Sequence, residues 1–201
     1  MHLRAPAILV AARPHGETAV IARLLTEEAG LVAAYVAGGR GRQLRPVVIP
    51  GNIVEVDIRA KSDSQLPFAR IELLESRGPW LSEPLPAAAI GWVTALTASV
   101  LPERNAYPSL YSALSALLDA ICHAPSARGW VSGLVGYEIL LLRELGYGGG
   151  QRPQGNLEDT LDSFDRMAAP IEHYLLADRQ GDVMGARALL RTRLARMSGQ
   201  D

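Results

Sequence analysis

Apolar positions along the chain follow two rhythms. Up to about residue 79 they come in short runs broken by turn residues; beyond it they recur at helical spacing. Ala5–Ala12 is a continuous apolar run of strand length closed by Arg13-Pro14, and proline has no N–H with which to continue a ladder. Thr18–Thr26 fits two periods. Val20, Ile21, Leu24 and Leu25 recur as on a helix, whereas Val20, Ala22 and Leu24 alternate as in a strand. The short connection around Gly16 suits a hairpin, which favours a strand. Glu27-Glu28-Ala29-Gly30 reads as the next turn, Leu31–Ala37 as a strand whose Tyr35 fills core, and Gly38–Arg45 as a loop. Val47-Val48-Ile49 is stopped by Pro50-Gly51. In Ile53–Ile58, Val54, Val56 and Ile58 face one way, Glu55 and Asp57 the other. Ser62-Asp63-Ser64 predicts a turn, and Phe68–Leu74 a fifth strand. Five strands this short predict a small closed barrel, since an open sheet would leave unpaired edges.

The Pro-rich stretch 78–86 separates the two rhythms. Ala87–Leu101 predicts one helix, stopped at Pro102. Pro108 suits a first turn, and Tyr111, Leu114, Leu118 and Ile121 form an apolar stripe behind it to Cys122. Val131, Leu134, Val135, Leu141, Leu142 and Leu145 form the next stripe, ended by Gly146. Asn156 with Asp159 resembles a cap and its partner, opening a helix through Phe164. Ile171–Leu176 and Val183–Met197 complete an all-α second part. The expected division is a barrel domain over residues 1–79 and a helical domain over 80–201, an α+β chain.

With 201 residues the chain can bury a real core, and a net charge of −1 announces no polyanion partner. Residues 1–79 sum to +2 and residues 80–201 to −3, so a basic face must come from placement. The single Cys122 excludes an intramolecular disulfide and fits a reducing cytoplasm. Leu85–Leu101 is uncharged, yet it falls short of the roughly 20 strongly apolar residues needed to span a bilayer.

Candidate chemistry gathers in two loops, Arg13–Thr18 and Gly38–Arg45. Arginine keeps its charge and its fork matches phosphate oxygens, while neighbouring glycines let backbone N–H groups approach the same anion. The plainer reading is a solvated loop. Gly38-Gly39-Arg40-Gly41 lacks the Lys-Ser/Thr ending of a P-loop. Cys122-His123 lacks the two further ligands that a zinc ion needs. His15 has no serine or cysteine placed to form a nucleophile arrangement, and Asp159, Asp162 and Asp165 read as a wet helical face.

In order and spacing, several segments together resemble the RecO family of bacterial recombination mediators. They are the strand into Arg13, then His15-Gly16-Glu17-Thr18, the second strand into Thr26–Leu31, and Gly38-Gly39-Arg40. Ile71–Ser76, Leu101-Pro102-Glu103 and Leu140–Tyr147 extend the likeness to about three-quarters of the chain. The resemblance implies an N-terminal OB-fold barrel followed by an all-α C-terminal domain, and a non-enzymatic role without catalytic residues or cofactor. It implies binding of single- and double-stranded DNA, strand annealing, contacts with RecR and the single-stranded DNA-binding protein, and help in loading RecA in the bacterial cytoplasm. On that basis Arg13, Arg23, Arg40, Arg42 and Arg45 are the expected DNA contacts. Arg187 and Arg191 are the expected partner contacts for an acidic, apolar tail, with Arg104, Arg128 and Arg143 as competitors. Many members carry a four-cysteine zinc motif after the Leu-Gly-Tyr segment; Gly148–Asn156 here has no cysteine, so no zinc is expected. The rival readings are a barrel for RNA or for protein partners, and a small hydrolase or transferase.

Overall fold

The computed structural model describes residues 2–60, 62, 65–153, 155–178 and 182–198; Asp63 and Ser64 of the expected turn lie outside them. The chain folds as two compact units. One holds Met1–Glu83 and Leu101–Tyr111, the other Pro84–Val100 and Ser112–Asp201.

The first unit is a closed five-strand barrel in the order β1-β2-β3-β5-β4. Its strands are β1 (His2–His15), β2 (Ala19–Thr26), β3 (Gly30–Val36), β4 (Ile53–Arg59) and β5 (Phe68–Glu75). This is the Greek-key order of an OB fold. Strand alternation puts Leu9, Ala22, Leu24, Val32, Ala34, Val36, Val54, Val56, Ile58 and Ile71 inside. Ala19–Thr26 is therefore strand, with Thr18 in the turn before it, and the i, i+3, i+4 pattern within it is coincidental.

β1 runs further than its sequence suggests. It pairs with β4 from His2 to Ile8 and with β2 from Ala7 to His15, with a bulge between Leu9 and Ala11. Each half therefore has one open side. Pro6 and Pro14 lie in these half-open stretches, so Pro14 does not end the strand as expected; it is partnered with Val20. The connection from β3 to β4 closes one end of the barrel with Leu44, Val47 and Val48 packed on the core. Asn52 pins it. Its buried side-chain amide donates to the carbonyls of Pro46 (3.1 Å) and Val47 (3.0 Å) and accepts from Arg77 N (2.7 Å).

The segment 101–111 also belongs to the barrel unit. Leu31 and Glu103 form a parallel bridge, and Arg104 N donates to Leu31 O at 2.8 Å. Gly30, at φ 66°, lies so close to the backbone of Asn105 that a Cβ would overlap its carbonyl.

The second unit contains α1 (Pro84–Val100), α3 (Val131–Glu144), α4 (Leu157–Pro170), α5 (Val183–Ser198) and most of α2 (Pro108–His123). α1 carries no charge, and its Ile90, Trp92, Val93 and Leu96 are buried, as expected of a core helix. It packs along α5. Asn156 and Asp159 form the expected capping box of α4. Residues Ile171–Leu176 continue α4 as a π-helical turn instead of starting a separate helix. Pro170, which lacks the N–H of a regular ladder, immediately precedes that change.

Candidate nucleic-acid interface

The two arginine loops meet at one end of the barrel. Arg40 N donates to Thr18 O at 2.9 Å, and Arg40 Nη1 reaches the carbonyls of Glu17 (3.0 Å) and Gly16 (3.2 Å). Gly39 is buried against Val20, where a Cβ would collide with that side chain; this close approach seats the loop on the barrel rim. Arg40 thus joins the loop to the β1–β2 turn while remaining exposed. Arg13, Arg42 and Arg45 are exposed too, and among the described residues they have no ion-pair partner. Their charge faces solvent, unlike that of the next strands. On β4, Glu55 holds Arg4 at 3.0 Å, and Asp57 takes both Arg59 (2.8 Å) and His2 (3.3 Å). The Arg59 fork keeps the Asp57 carboxyl below its ordinary pKa.

Arg23 stands apart from this group. It faces the returning segment, 3.4 Å from Glu103, and is half-buried. Tyr35 corrects another expectation. Val32, Ala34 and Val36 point inward, so Tyr35 points outward. Strand register places it in a continuous belt across the outer face: Arg13 opposite Ile21, Ile21 opposite Tyr35, Tyr35 opposite Phe68, and Phe68 opposite Arg59. Tyr35 meets Phe68 edge-on at 5.2 Å between ring centroids and His15 at 5.8 Å. The period-2 pattern of Val32, Ala34 and Val36 carried the signal for this outward position.

In the helical unit, Arg187 is buried instead of facing a partner. Its Nε and Nη2 donate to Glu138 at 3.2 and 3.0 Å, Nη2 also donates to Phe164 O, and the guanidinium lies 3.7 Å from the Phe164 ring centroid. Trp92 Nε1 donates to the same carboxylate at 2.8 Å. Burial pushes the Glu138 carboxyl up, opposed by the charge and hydrogen bonds of Arg187 and by Trp92. Arg191 is partly exposed and binds Asp165 through two bonds of 2.6 and 2.8 Å.

A different pair of arginines borders an apolar depression. An open groove of about 420 Å³ lies between α2 and α3, lined by Leu117, Trp130, Ile139 and Leu140, with Arg143 and Arg152. Gly133 and Gly136 leave room on α3 for the Arg152 side chain, whose Nε would be 3.3 Å from a Cβ on Gly136. The sequence signal for Arg152 is weak: two glycines one turn apart and a cation in the loop beyond. Among the described residues no group of three His, Cys, Asp or Glu side chains could hold a metal, and no helix is long and apolar enough to cross a membrane.

These features define an OB-type barrel with a cationic rim, joined in one chain to an all-α unit. Sequence comparison makes the assignment specific. The N-terminal model of recombination protein O matches residues 1–77 and its C-terminal model residues 82–149, and the chain belongs to the RecO family. It is 41% identical over 143 residues to the DNA repair protein RecO of Caulobacter vibrioides (strain NA1000 / CB15N), covering 71% of this chain and 58% of the relative. For the protein of that name from Rhodospirillum centenum the figures are 41%, 71% and 56%, and for Phenylobacterium zucineum 38%, 74% and 60%. The chain spans somewhat under two-thirds of the length of these relatives.

Proposed function

We propose that this chain is a non-catalytic mediator of DNA repair and recombination that holds DNA by its backbone at the rim of the barrel. The supporting observation is the junction made by Arg40, which ties the loop carrying the exposed Arg42 and Arg45 to the β1–β2 turn, next to the end of β1 that carries the exposed Arg13. Such a cationic rim suits phosphates of either single or double strands, because it presents charge without a base-reading element in a groove. Two strands held by their backbones keep their base edges free to pair, which is what annealing requires. The family assignment extends the reading to RecR, to the single-stranded DNA-binding protein and to the loading of RecA.

For the acidic, apolar tail of the single-stranded DNA-binding protein, the groove bordered by Arg143 and Arg152 is the better fit. It pairs an apolar floor with two cations, whereas Arg187 is buried and Arg191 already holds Asp165. Equilibrium binding of oligo(dT), a duplex and a matched RNA at several salt concentrations tests the central proposal. Affinity for both DNA forms that falls steeply with salt supports it, and no DNA binding at low salt overturns it. Tighter binding of the RNA would move the protein to an RNA-handling role.

A further inference from the structure

We propose that Tyr35 and Phe68 form a base-stacking platform, so that the barrel takes unpaired nucleobases on its outer face while the rim arginines hold phosphates. This rests on the DNA-binding reading above and adds to it a preference for single strands.

Phe68 is 65% exposed, an unusual state for a phenylalanine on a strand of a folded barrel. Its ring stands edge-on to Tyr35, at an interplanar angle of 65°, so this contact takes up at most one face of one of the two rings. His15 stands edge-on to Tyr35 on the far side at 88°. Three rings therefore follow one another across the barrel surface. The backbone beneath is held in place: β3 and β5 meet as a parallel pair at Tyr35 and Phe68, and Tyr35 N donates to Pro67 O at 2.8 Å. A platform on paired strands costs little to order when a ligand arrives.

The surroundings select the occupant. Along the belt the rings are flanked on one side by the exposed Arg13, and the Arg40 loop is tied to Gly16, next to His15; Arg59, opposite Phe68, is already held by Asp57. A narrow aromatic strip with cations beside it matches a base and its phosphate. A docking surface for a folded protein would need a broader apolar field. Stacking also requires an unpaired base, because the face of a base within a duplex is covered by its neighbours. The rim alone serves duplex DNA; rim and rings together serve a single strand.

The test compares three probes of equal length: oligo(dT), an abasic oligomer with the same sugars and phosphates, and a duplex. Wild-type protein is expected to bind oligo(dT) at least about tenfold more tightly than the abasic oligomer. Tyr35→Ala/Phe68→Ala should lose about ten- to a hundredfold on oligo(dT) and stay within about twofold on the other two probes. Phe68→Leu, which keeps apolar area without a π face, should lose nearly as much as Phe68→Ala, and Phe68→Trp should retain binding. Equal wild-type affinity for oligo(dT) and the abasic oligomer overturns the proposal. So does a Phe68→Leu protein that binds oligo(dT) like wild type, since the π face is then dispensable. An equal loss on all three probes also overturns it, by showing that the rings only support the rim. Failure of the wild type to bind any probe removes the DNA reading itself, a result distinct from loss of the base-dependent part alone.

Discussion

Arg187 and Glu138 form a two-bonded ion pair inside the helical unit, with side-chain exposures of 5% and 0%. Phe164 and Trp92 enclose it from two sides. Removing one member of such a pair leaves a bare buried charge. Arg187→Met is therefore expected to destabilise the unit by about 3–5 kcal/mol. Adding Glu138→Gln should restore much of that loss, because glutamine carries no charge yet still offers Trp92 an acceptor. Chemical denaturation of the two variants checks this; a double variant no more stable than Arg187→Met would contradict it.

The same variant carries a pH signature. Without Arg187, only Trp92 opposes the effect of burial on Glu138, so its folded-state pKa rises further above the unfolded value of about 4.3. A raised folded-state pKa means that the folded protein holds the proton more tightly. The resulting penalty is absent below the unfolded value and grows as pH rises towards the folded one. The stability deficit of Arg187→Met relative to wild type should thus narrow between pH 7 and about pH 4.5, measured as the gap between their melting temperatures. A gap that stays constant or widens on acidification would count against a bare Glu138 as the cause.

Gly30 and Gly38 both adopt positive φ, at 66° and 69°, but only Gly30 has a backbone carbonyl in the path of a Cβ. Gly38→Ala should cost about 1–2 kcal/mol of backbone strain. Gly30→Ala should cost clearly more, since it must also push Asn105 and its segment off the barrel. Protease sensitivity within residues 101–111 should rise for Gly30→Ala alone.

Arg42 and Arg45 are better tests of the rim than Arg40, whose guanidinium also joins two loops. Arg42→Ala/Arg45→Ala should flatten the salt dependence of oligo(dT) binding by up to about 0.7 per lost contact. Arg23→Ala, which removes a charge facing Glu103, should leave the slope unchanged. Equal effects of the two changes would place Arg23 back among the DNA contacts.

Most of the fold was legible because the two rhythms follow from geometry: side chains alternate on a strand and recur every third or fourth residue on a helix. The barrel followed from five short strands whose edges need partners. Features that depend on distant chain were hidden. Pro14 closes a strand by local rules, yet β1 tolerates it because β4 has left its side by that point. Segment 101–111 has no strand pattern of its own, and its place is set by distant residues, Arg23, Gly30 and Leu31. Arg187 looked like other surface arginines of α5. A warning lay elsewhere, in Glu138, a carboxylate set between Tyr137 and Ile139 in the middle of a helix otherwise rich in buried apolar residues. The rim was visible as two Gly- and Arg-bearing loops, but their meeting through Arg40 was not, since carbonyls carry no sequence signature.

The barrel is sewn shut unevenly. Four of its seams hold seven or eight paired residues each, whereas β3 and β5 meet at the single pair Tyr35 and Phe68. That is the shortest seam of the cylinder, and it is also where the two rings sit. A strand of DNA resting on both rings would act as a clasp across that seam, so occupancy would register as slower hydrogen exchange at the Tyr35 amide, which donates across it to Pro67 O.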